Sequence, residues 1–210
     1  MLMKISKIKL TVIIVLLIIS SVFITNHIMA LRVGEKSTES VYPRTKGDPN
    51  ARVKVMEFAD FQCPSCAYSA NLVDQYMKKY PGEVSVEHKY FPLRSHKHSM
   101  IASQYAECAR RQGQFWPMHD LIFKTQKDWY DLADAKPFFA GKAKELGLDT
   151  DQMEACLDLP EVTARIMQDR EEGNNLGIRS TPTFYVNGKM VVGSKALILT
   201  MSQLFKDPKM

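Results

Sequence analysis

The segment Cys63-Pro64-Ser65-Cys66 constrains the fold more than any other, because it joins two elements of different periodicity. The residues before it, Arg52 to Phe58, carry apolar side chains on both faces of an alternating pattern, which predicts a central β-strand. The residues after it, Pro64 to Tyr80, have helical spacing and stop at Pro81-Gly82. The sequence therefore predicts a strand that runs directly into a helix, with two cysteines at the junction.

A second alternating segment, Glu83 to Phe91, completes a βαβ unit, for which a right-handed crossover is expected. Two short apolar segments, Thr183–Val186 and Met190–Val192, flank Asn187-Gly188, a pair that strongly indicates a β-hairpin. Ser194 is predicted to cap a last helix that reaches Phe205. These elements predict an α/β fold with a mixed four-stranded sheet flanked by helices.

The chain between the second strand and the hairpin shows helical spacing and almost no strand pattern. We expect a sheet domain from residues 51–94 and 175–210, with residues 95–174 as an inserted α-helical subdomain. His96 and His98 are predicted at a solvated helix start in this insertion, and His119 on a helix surface or half-buried.

The N-terminus has the pattern of an export signal. Lys4, Lys7 and Lys9 precede an uncharged apolar run from Leu10 to Ile24. Residues 1–31 are interpreted as a signal peptide or an uncleaved N-terminal membrane anchor, and the polar residues 32–50 as a linker. Either interpretation sends the rest of the chain out of the cytoplasm, into a periplasmic or other extracytoplasmic compartment that permits disulfides.

Composition narrows the function classes. The 210 residues carry a formal net charge of +5, with 45% hydrophobic and 24% charged residues, which is an ordinary globular balance. No dense Lys/Arg stripe is interleaved with aromatic residues, so the sequence gives no support for nucleic-acid binding. Contact with a membrane is expected only through the N-terminal segment.

The position of the cysteine pair predicts its chemistry. A helix N-terminus stabilises an anion, so the Cys63 thiolate should be favoured and the thiol pKa lowered, and Pro64 suits the first helical position. Cys66 lies one turn later, on the apolar stripe that continues through Ala70, Val73 and Met77. An exposed, activated sulfur next to a sheltered one allows Cys63 to form a mixed disulfide that Cys66 resolves.

A pair of cysteines can also be half of a zinc site, but a structural site needs four ligands at matching spacing. Cys108 and Cys156 do not form a second such pair, so no metal site is predicted. They lie on apolar helical stripes, which favours a second, structural disulfide. Two buried free thiols or a redox-regulatory pair are the alternatives.

Glu57 precedes Cys63 by six residues on the face of the strand that also carries Val53 and Val55. We expect it to be buried under the helix start, where burial raises a carboxyl pKa and suits it to accept a proton near Cys66. The alternative is that strand twist brings Glu57 to solvent.

Three segments resemble the DsbA-like thioredoxin-fold proteins. Val55–Cys66 is similar to their active-site strand and helix start, His88–Leu93 to their second strand and the following turn, and Gly177–Gly188 to their cis-proline loop and hairpin. In this order and spacing the match extends over about residues 48 to 206.

The resemblance implies that Cys63 is the nucleophile and Cys66 the resolving cysteine, with a buried acid at Glu57. It also implies that Pro182 is cis and that the loop of Thr181 and Pro182 faces Cys63 and binds substrate backbone. Pro64 and Ser65 tune the helix start in this comparison. The prototype oxidase has His in place of Ser65, so a weaker oxidant is expected, between about −180 and −120 mV.

The sequence thus predicts a thiol:disulfide oxidoreductase that forms disulfide bonds in exported proteins. No cofactor is needed, since the dithiol is itself the redox group. The resemblance implies a quinone-linked membrane oxidase as partner. A disulfide reductase or isomerase is one alternative, although residues 32–50 are too short for the isomerases' dimerisation domain; the other is a peptide-binding module whose thiols are not catalytic.

Overall fold

The computed structural model describes residues 20–21 and 43–206. The chain divides into two compact units, Met1–Val41 and Tyr42–Met210. The signal peptide or anchor predicted for residues 1–31 lies outside the described residues, apart from Ser20 and Ser21, as does the linker up to residue 42. Among the residues described, no helix is both long enough and apolar enough to cross a membrane.

Five strands and eight helices are formed within residues 43–206. The strands are β1 Thr45–Gly47, β2 Val53–Ala59, β3 Val84–Tyr90, β4 Thr183–Val186 and β5 Lys189–Val192. The helices are α1 Pro64–Lys79, α2 Ser99–Arg111, α3 Phe115–Lys124, α4 Gln126–Trp129, α5 Lys136–Glu145, α6 Thr150–Leu157, α7 Pro160–Asn175 and α8 Ser194–Phe205.

One mixed sheet holds all five strands, in the order β1-β3-β2-β4-β5. The central strand β2 pairs parallel with β3 and antiparallel with β4, which places Glu57 opposite His88 on one side and Phe184 on the other. Asn187 and Gly188 make the predicted hairpin turn, both with positive φ (48° and 80°). The predicted α/β thioredoxin fold is therefore confirmed, with α1 as the crossover between β2 and β3.

The predicted number of four strands was wrong. The fifth, β1, lies inside the segment interpreted as a linker and pairs antiparallel with β3 at the sheet edge. Its anchor is long-range: the Arg44 guanidinium pairs with the buried carboxylate of Asp169 on α7, and the Arg44 carbonyl accepts the His88 backbone N–H at 3.0 Å. Three residues are too few to show a strand period, so the sequence pattern could not reveal them.

The predicted cap of the last helix was also misplaced by one residue. Gly193, at φ 82°, occupies the cap position, and Ser194 is the first helical residue. The Ser194 hydroxyl instead donates to the Ser65 carbonyl at 3.2 Å and accepts from the Ser69 hydroxyl at 2.9 Å. These contacts tie α8 to the first turn of α1, next to the two cysteines.

The helices between β3 and β4 pack around their own apolar cluster, which includes the fully buried Trp129 and Phe139. A disulfide joins Cys108 on α2 to Cys156 on α6. Phe61, in the loop before Cys63, belongs to the same cluster. The loop that carries the cysteine pair is thus packed directly against the helical region.

Candidate active site

Cys63 lies at the N-cap of α1, and Pro64 occupies the first helical turn. The side chain of Cys63 is 8% exposed and that of Cys66 is fully buried. Both cysteines are in the thiol form, without a bond between them. The structure therefore describes the reduced pair, with Cys63 as the sulfur that solvent and other molecules can reach.

Hydrogen bonding activates Cys63. The Cys66 thiol and the backbone N–H groups of Cys66 and Ser65 donate to the Cys63 thiolate, and the pKa of Cys63 is lowered to about 6 against the opposing effect of partial burial. At neutral pH, Cys63 is therefore a thiolate in most molecules. Since the thiolate is the nucleophilic form of cysteine, this residue can attack a disulfide.

The opposite shift holds for Cys66. Burial raises its thiol pKa well above 9, and its hydrogen bond to Cys63 and the negative charges of Cys63 and Glu57 act in the same direction. One contact opposes this: the backbone N–H of Asp60 donates to the Cys66 sulfur at 3.5 Å. Cys66 is thus a protonated, sheltered thiol next to an ionised one.

We expect the alkylation rate of the reduced protein to rise with pH through a midpoint near 6 and to report Cys63 alone. The ionised thiol reacts, so the rate follows the ionisation of Cys63, while Cys66 stays protonated and buried. Short iodoacetamide pulses at a series of pH values, followed by mass mapping, measure both quantities. Earlier labelling of Cys66, or a midpoint near 9, contradicts this assignment.

The Thr181–Pro182 peptide bond is cis and the loop it belongs to lies against the cysteine pair. When Cys63 is protonated its thiol donates to the Thr181 carbonyl at 3.5 Å. The Pro182 carbonyl accepts the backbone N–H of Gly193 at 2.9 Å, which fixes the loop against the start of α8. The Cys63 sulfur and the Thr181 carbonyl are thus in contact.

Glu57 is 2% exposed, as its place on the central strand predicted. Burial raises the pKa of its carboxyl from 4.5 to about 8. One of its oxygens, Oε1, has no hydrogen-bond partner among the described residues. Glu57 is therefore a largely protonated carboxyl at neutral pH that can exchange a proton within the interior.

Two residues that the sequence did not single out hold the loop before Cys63 in place. The buried Asp60 carboxylate accepts the backbone N–H groups of Gln62 at 2.7 Å and Leu93 at 2.8 Å, and it also contacts His96 Nδ1 at 2.8 Å. The Gln126 amide donates to the carbonyls of Phe61 at 2.7 Å and Cys63 at 3.1 Å. The Asp-Phe-Gln-Cys sequence offered only a weak signal, an Asp that can accept from the backbone two residues later.

Three histidines are more buried than predicted. His98 is buried and contacts the Leu132 carbonyl at 2.7 Å, and His96 is half-buried against Asp60. His119 is buried, not on a helix surface, because α3 lays this face on the sheet beside Glu57 and His88. Spacing along the chain predicts which residues share a helix face, but it does not predict which other elements pack on that face.

The fold and site define a thioredoxin-fold protein with a reduced cysteine pair at a helix start and a cis-proline loop against it. Residues 39–202 match the family described as Thioredoxin. The chain belongs to the thioredoxin family.

Two solved structures and one curated relative illustrate the likeness. A thioredoxin-like oxidoreductase from Silicibacter pomeroyi DSS-3 is 27% identical, with a TM-score of 0.64 over 79% of this chain and 94% of that one. The alpha-DsbA1 of Wolbachia pipientis has a TM-score of 0.68 at 22% identity, over 79% and 90% of the two chains, which shows a shared fold.

The curated relative is a protein named Na(+)/H(+) antiporter NhaA, from Herminiimonas arsenicoxydans. It is 32% identical over 149 residues, which are 71% of this chain and 23% of that protein. The chain thus spans about a quarter of the length of the curated relatives it matches. The antiporter name describes that longer protein.

Proposed function

We propose that this chain is a thiol:disulfide oxidoreductase that forms disulfide bonds in exported proteins through Cys63 and Cys66. The observation that carries the proposal is the opposite tuning of two adjacent sulfurs, with the pKa of Cys63 lowered to about 6 and that of Cys66 raised well above 9. Such a pair separates the roles of attacking sulfur and resolving sulfur. No further redox group is required, because the dithiol carries both electrons.

Oxidation of a substrate begins with the Cys63–Cys66 disulfide. A substrate thiolate attacks Cys63 Sγ, the sulfur–sulfur bond breaks, and Cys66 leaves with the electron pair and takes up a proton. A second substrate thiolate then attacks the substrate sulfur of the mixed disulfide and releases Cys63 as a thiolate. The substrate loses two electrons and the enzyme gains them, and the low pKa of Cys63 makes it a good leaving group.

Reoxidation runs the same steps backwards with a disulfide of the partner. The Cys63 thiolate attacks that disulfide, and Cys66 must lose its proton before it can displace the partner from Cys63. Glu57 is the acceptor for this proton in the proposal, because it is buried in the same region and its charge acts on Cys66. Glu57 is therefore needed when Cys66 displaces the partner from Cys63, and not when the mixed disulfide forms.

We therefore expect Glu57→Gln to slow release of the mixed disulfide by at least about tenfold and to leave its formation nearly unchanged. In the wild type the release rate should increase as pH rises towards about 8, because the Glu57 carboxyl gains its charge there, and the variant should lose this dependence. Stopped-flow traces of the reduced protein with a model disulfide separate the two steps.

Glu83→Gln is the matched control, since Glu83 is an exposed carboxylate paired with Arg52. It should leave both steps and the pH profile unchanged. An unaltered release rate in the Glu57 variant removes that residue from the mechanism.

A groove beside the cysteine pair supports a protein substrate. It has a volume of about 720 Å³ and is lined by Pro64, Ser65, Tyr68, Val192, Gly193, Ser194, Lys195 and Ile198. Tyr68 and Val192 are more than half exposed on its walls. Exposed apolar side chains next to a reactive sulfur suit an extended peptide that presents a cysteine.

Residues 51–94 and 175–210 form the catalytic domain and residues 95–174 a helical insertion that packs against the loop before Cys63. The N-terminal segment delivers the chain to an extracytoplasmic compartment, as a signal peptide or anchor, and a quinone-linked membrane oxidase removes the electrons. A reductase runs the same exchange in the opposite direction, and an isomerase rearranges disulfides without net electron transfer; the redox potential distinguishes both from an oxidase.

A further inference from the structure

A compact group of polar side chains lies inside the protein on the side of the sheet covered by α1 and α3. Glu57 and His88 are opposite each other on β2 and β3, and His119 reaches them from α3. Their side chains are 2%, 0% and 3% exposed, and one ligand atom from each lies within 4.8 Å of the other two.

Most polar atoms of this group have no partner. Glu57 Oε1, both ring nitrogens of His88 and His119 Nε2 are buried and make no hydrogen bond to any described residue. An unsatisfied buried polar atom destabilises the fold, so native proteins rarely concentrate several of them in one place. Four such atoms in one cluster indicate that an ion or a small molecule binds between Glu57, His88 and His119.

The arrangement around His119 matches that of a metal ligand. Its Nδ1 contacts the Asp120 carboxylate at 2.8 Å, so that nitrogen carries the proton and the lone pair of Nε2 points into the cluster. Histidines that bind metals characteristically donate their second ring nitrogen to a carboxylate in this way. His88 is held in turn by the Phe61 ring, which stacks on it at 5.2 Å between centroids.

The cluster also has space and a route to the surface. A small cavity of about 10 Å³ is lined by Glu57 and His119, together with Asp74 and Asp120, which reach solvent. That volume fits about one water molecule, which is the ligand an open metal site retains. Asp74 and Asp120 lie at the mouth, where Lys46 pairs with both of them and Lys78 pairs with Asp74.

We propose that Glu57, His88 and His119 form a buried binding site for a divalent transition-metal ion, with Zn²⁺ as the expected ion. Two imidazole nitrogens and one carboxylate oxygen are a ligand set for such ions, and they leave one position for water. The site is separate from the cysteine pair. It shares Glu57 with the proposed redox function, so a bound ion occupies the carboxylate that Cys66 needs.

The test uses the full chain with Cys63 and Cys66 oxidised to a disulfide, so that the thiols cannot bind the ion. Titration with Zn²⁺ by calorimetry should give one site per chain. Co²⁺ should give visible absorption without a thiolate charge-transfer band. Asp120→Asn, an exposed change that leaves all three ligands in place, should weaken Zn²⁺ binding by about 10- to 100-fold.

His119→Gln and His88→Phe should remove the binding, and His96→Gln, a histidine outside the cluster, should leave it intact. The proposal is overturned if the oxidised wild type binds no Zn²⁺, or if Asp120→Asn and His119→Gln bind it as the wild type does.

A second measurement separates this site from the proposed function. Loading with Zn²⁺ before reduction should slow release of the mixed disulfide to the rate of Glu57→Gln, a step that rests on the proposed function. If the protein binds one Zn²⁺ per chain and the release rate is nevertheless unchanged, the metal site is supported and Glu57 is removed from the redox mechanism.

Discussion

Replacing Cys66 with Ala should leave a protein that forms a mixed disulfide at Cys63 and then holds it. With 1 mM external thiol as the only way to resolve the complex, we expect its lifetime to rise more than about a thousandfold. The reason is proximity, because Cys66 hydrogen-bonds Cys63 and attacks at an effective concentration far above any external thiol. Non-reducing gels of the variant mixed with a disulfide-containing peptide follow the covalent complex over time, since the Cys63 thiolate attacks that disulfide and one peptide thiolate leaves.

Cys63→Ala is the matched control. It removes the attacking sulfur and keeps Cys66, which is fully buried and protonated, so no covalent complex should form. A complex that accumulates on Cys63→Ala, or that resolves at the wild-type rate on Cys66→Ala, contradicts the assignment of roles.

The double substitution Cys108→Ser and Cys156→Ser should destabilise the fold by about 4 kcal/mol. The disulfide closes a loop with a sequence separation of 48. In the chain-entropy model, its loss increases the conformational entropy of the unfolded chain and so favours unfolding. Cys108 is fully buried, so its new hydroxyl adds a cost of its own. Urea unfolding followed by circular dichroism measures the change in the free energy of unfolding.

The active-site double substitution Cys63→Ser and Cys66→Ser serves as the comparison, measured without reductant, because it also lacks two cysteines but keeps the Cys108–Cys156 disulfide. The alkylation midpoint of Cys63 should stay near pH 6 in the variant that lacks Cys108 and Cys156, because that disulfide joins α2 and α6 and touches neither active-site sulfur. If the free energy of unfolding of the variant without Cys108 and Cys156 falls by less than about 1 kcal/mol, the Cys108–Cys156 disulfide is not closed in solution.

The sequence predicted those features that depend on local pattern. The helix start at Pro64, the hairpin turn at Asn187-Gly188 and the burial of Glu57 follow from periodicity and turn chemistry within a few residues. The cis bond before Pro182 came from resemblance, since no local rule separates cis from trans.

Features that depend on distant partners could not be predicted in this way. Strand β1 depends on the contact of Arg44 with Asp169, which are 125 residues apart. The cluster of Glu57, His88 and His119 requires both the register of β2 against β3 and the placement of α3 over the sheet. Each histidine alone gave no signal, because spacing along the chain does not fix which helix face the sheet covers.

The redox potential of the Cys63–Cys66 pair tests the central claim most directly. Equilibration of the protein with glutathione buffers, followed by acid trapping and alkylation, gives the fraction of the pair that is oxidised. We expect reversible exchange with a potential between about −180 and −120 mV, since stabilising the Cys63 thiolate makes the disulfide more oxidising. A potential near about −270 mV contradicts the direction of electron flow, and a pair that does not exchange with glutathione contradicts the enzymatic function itself.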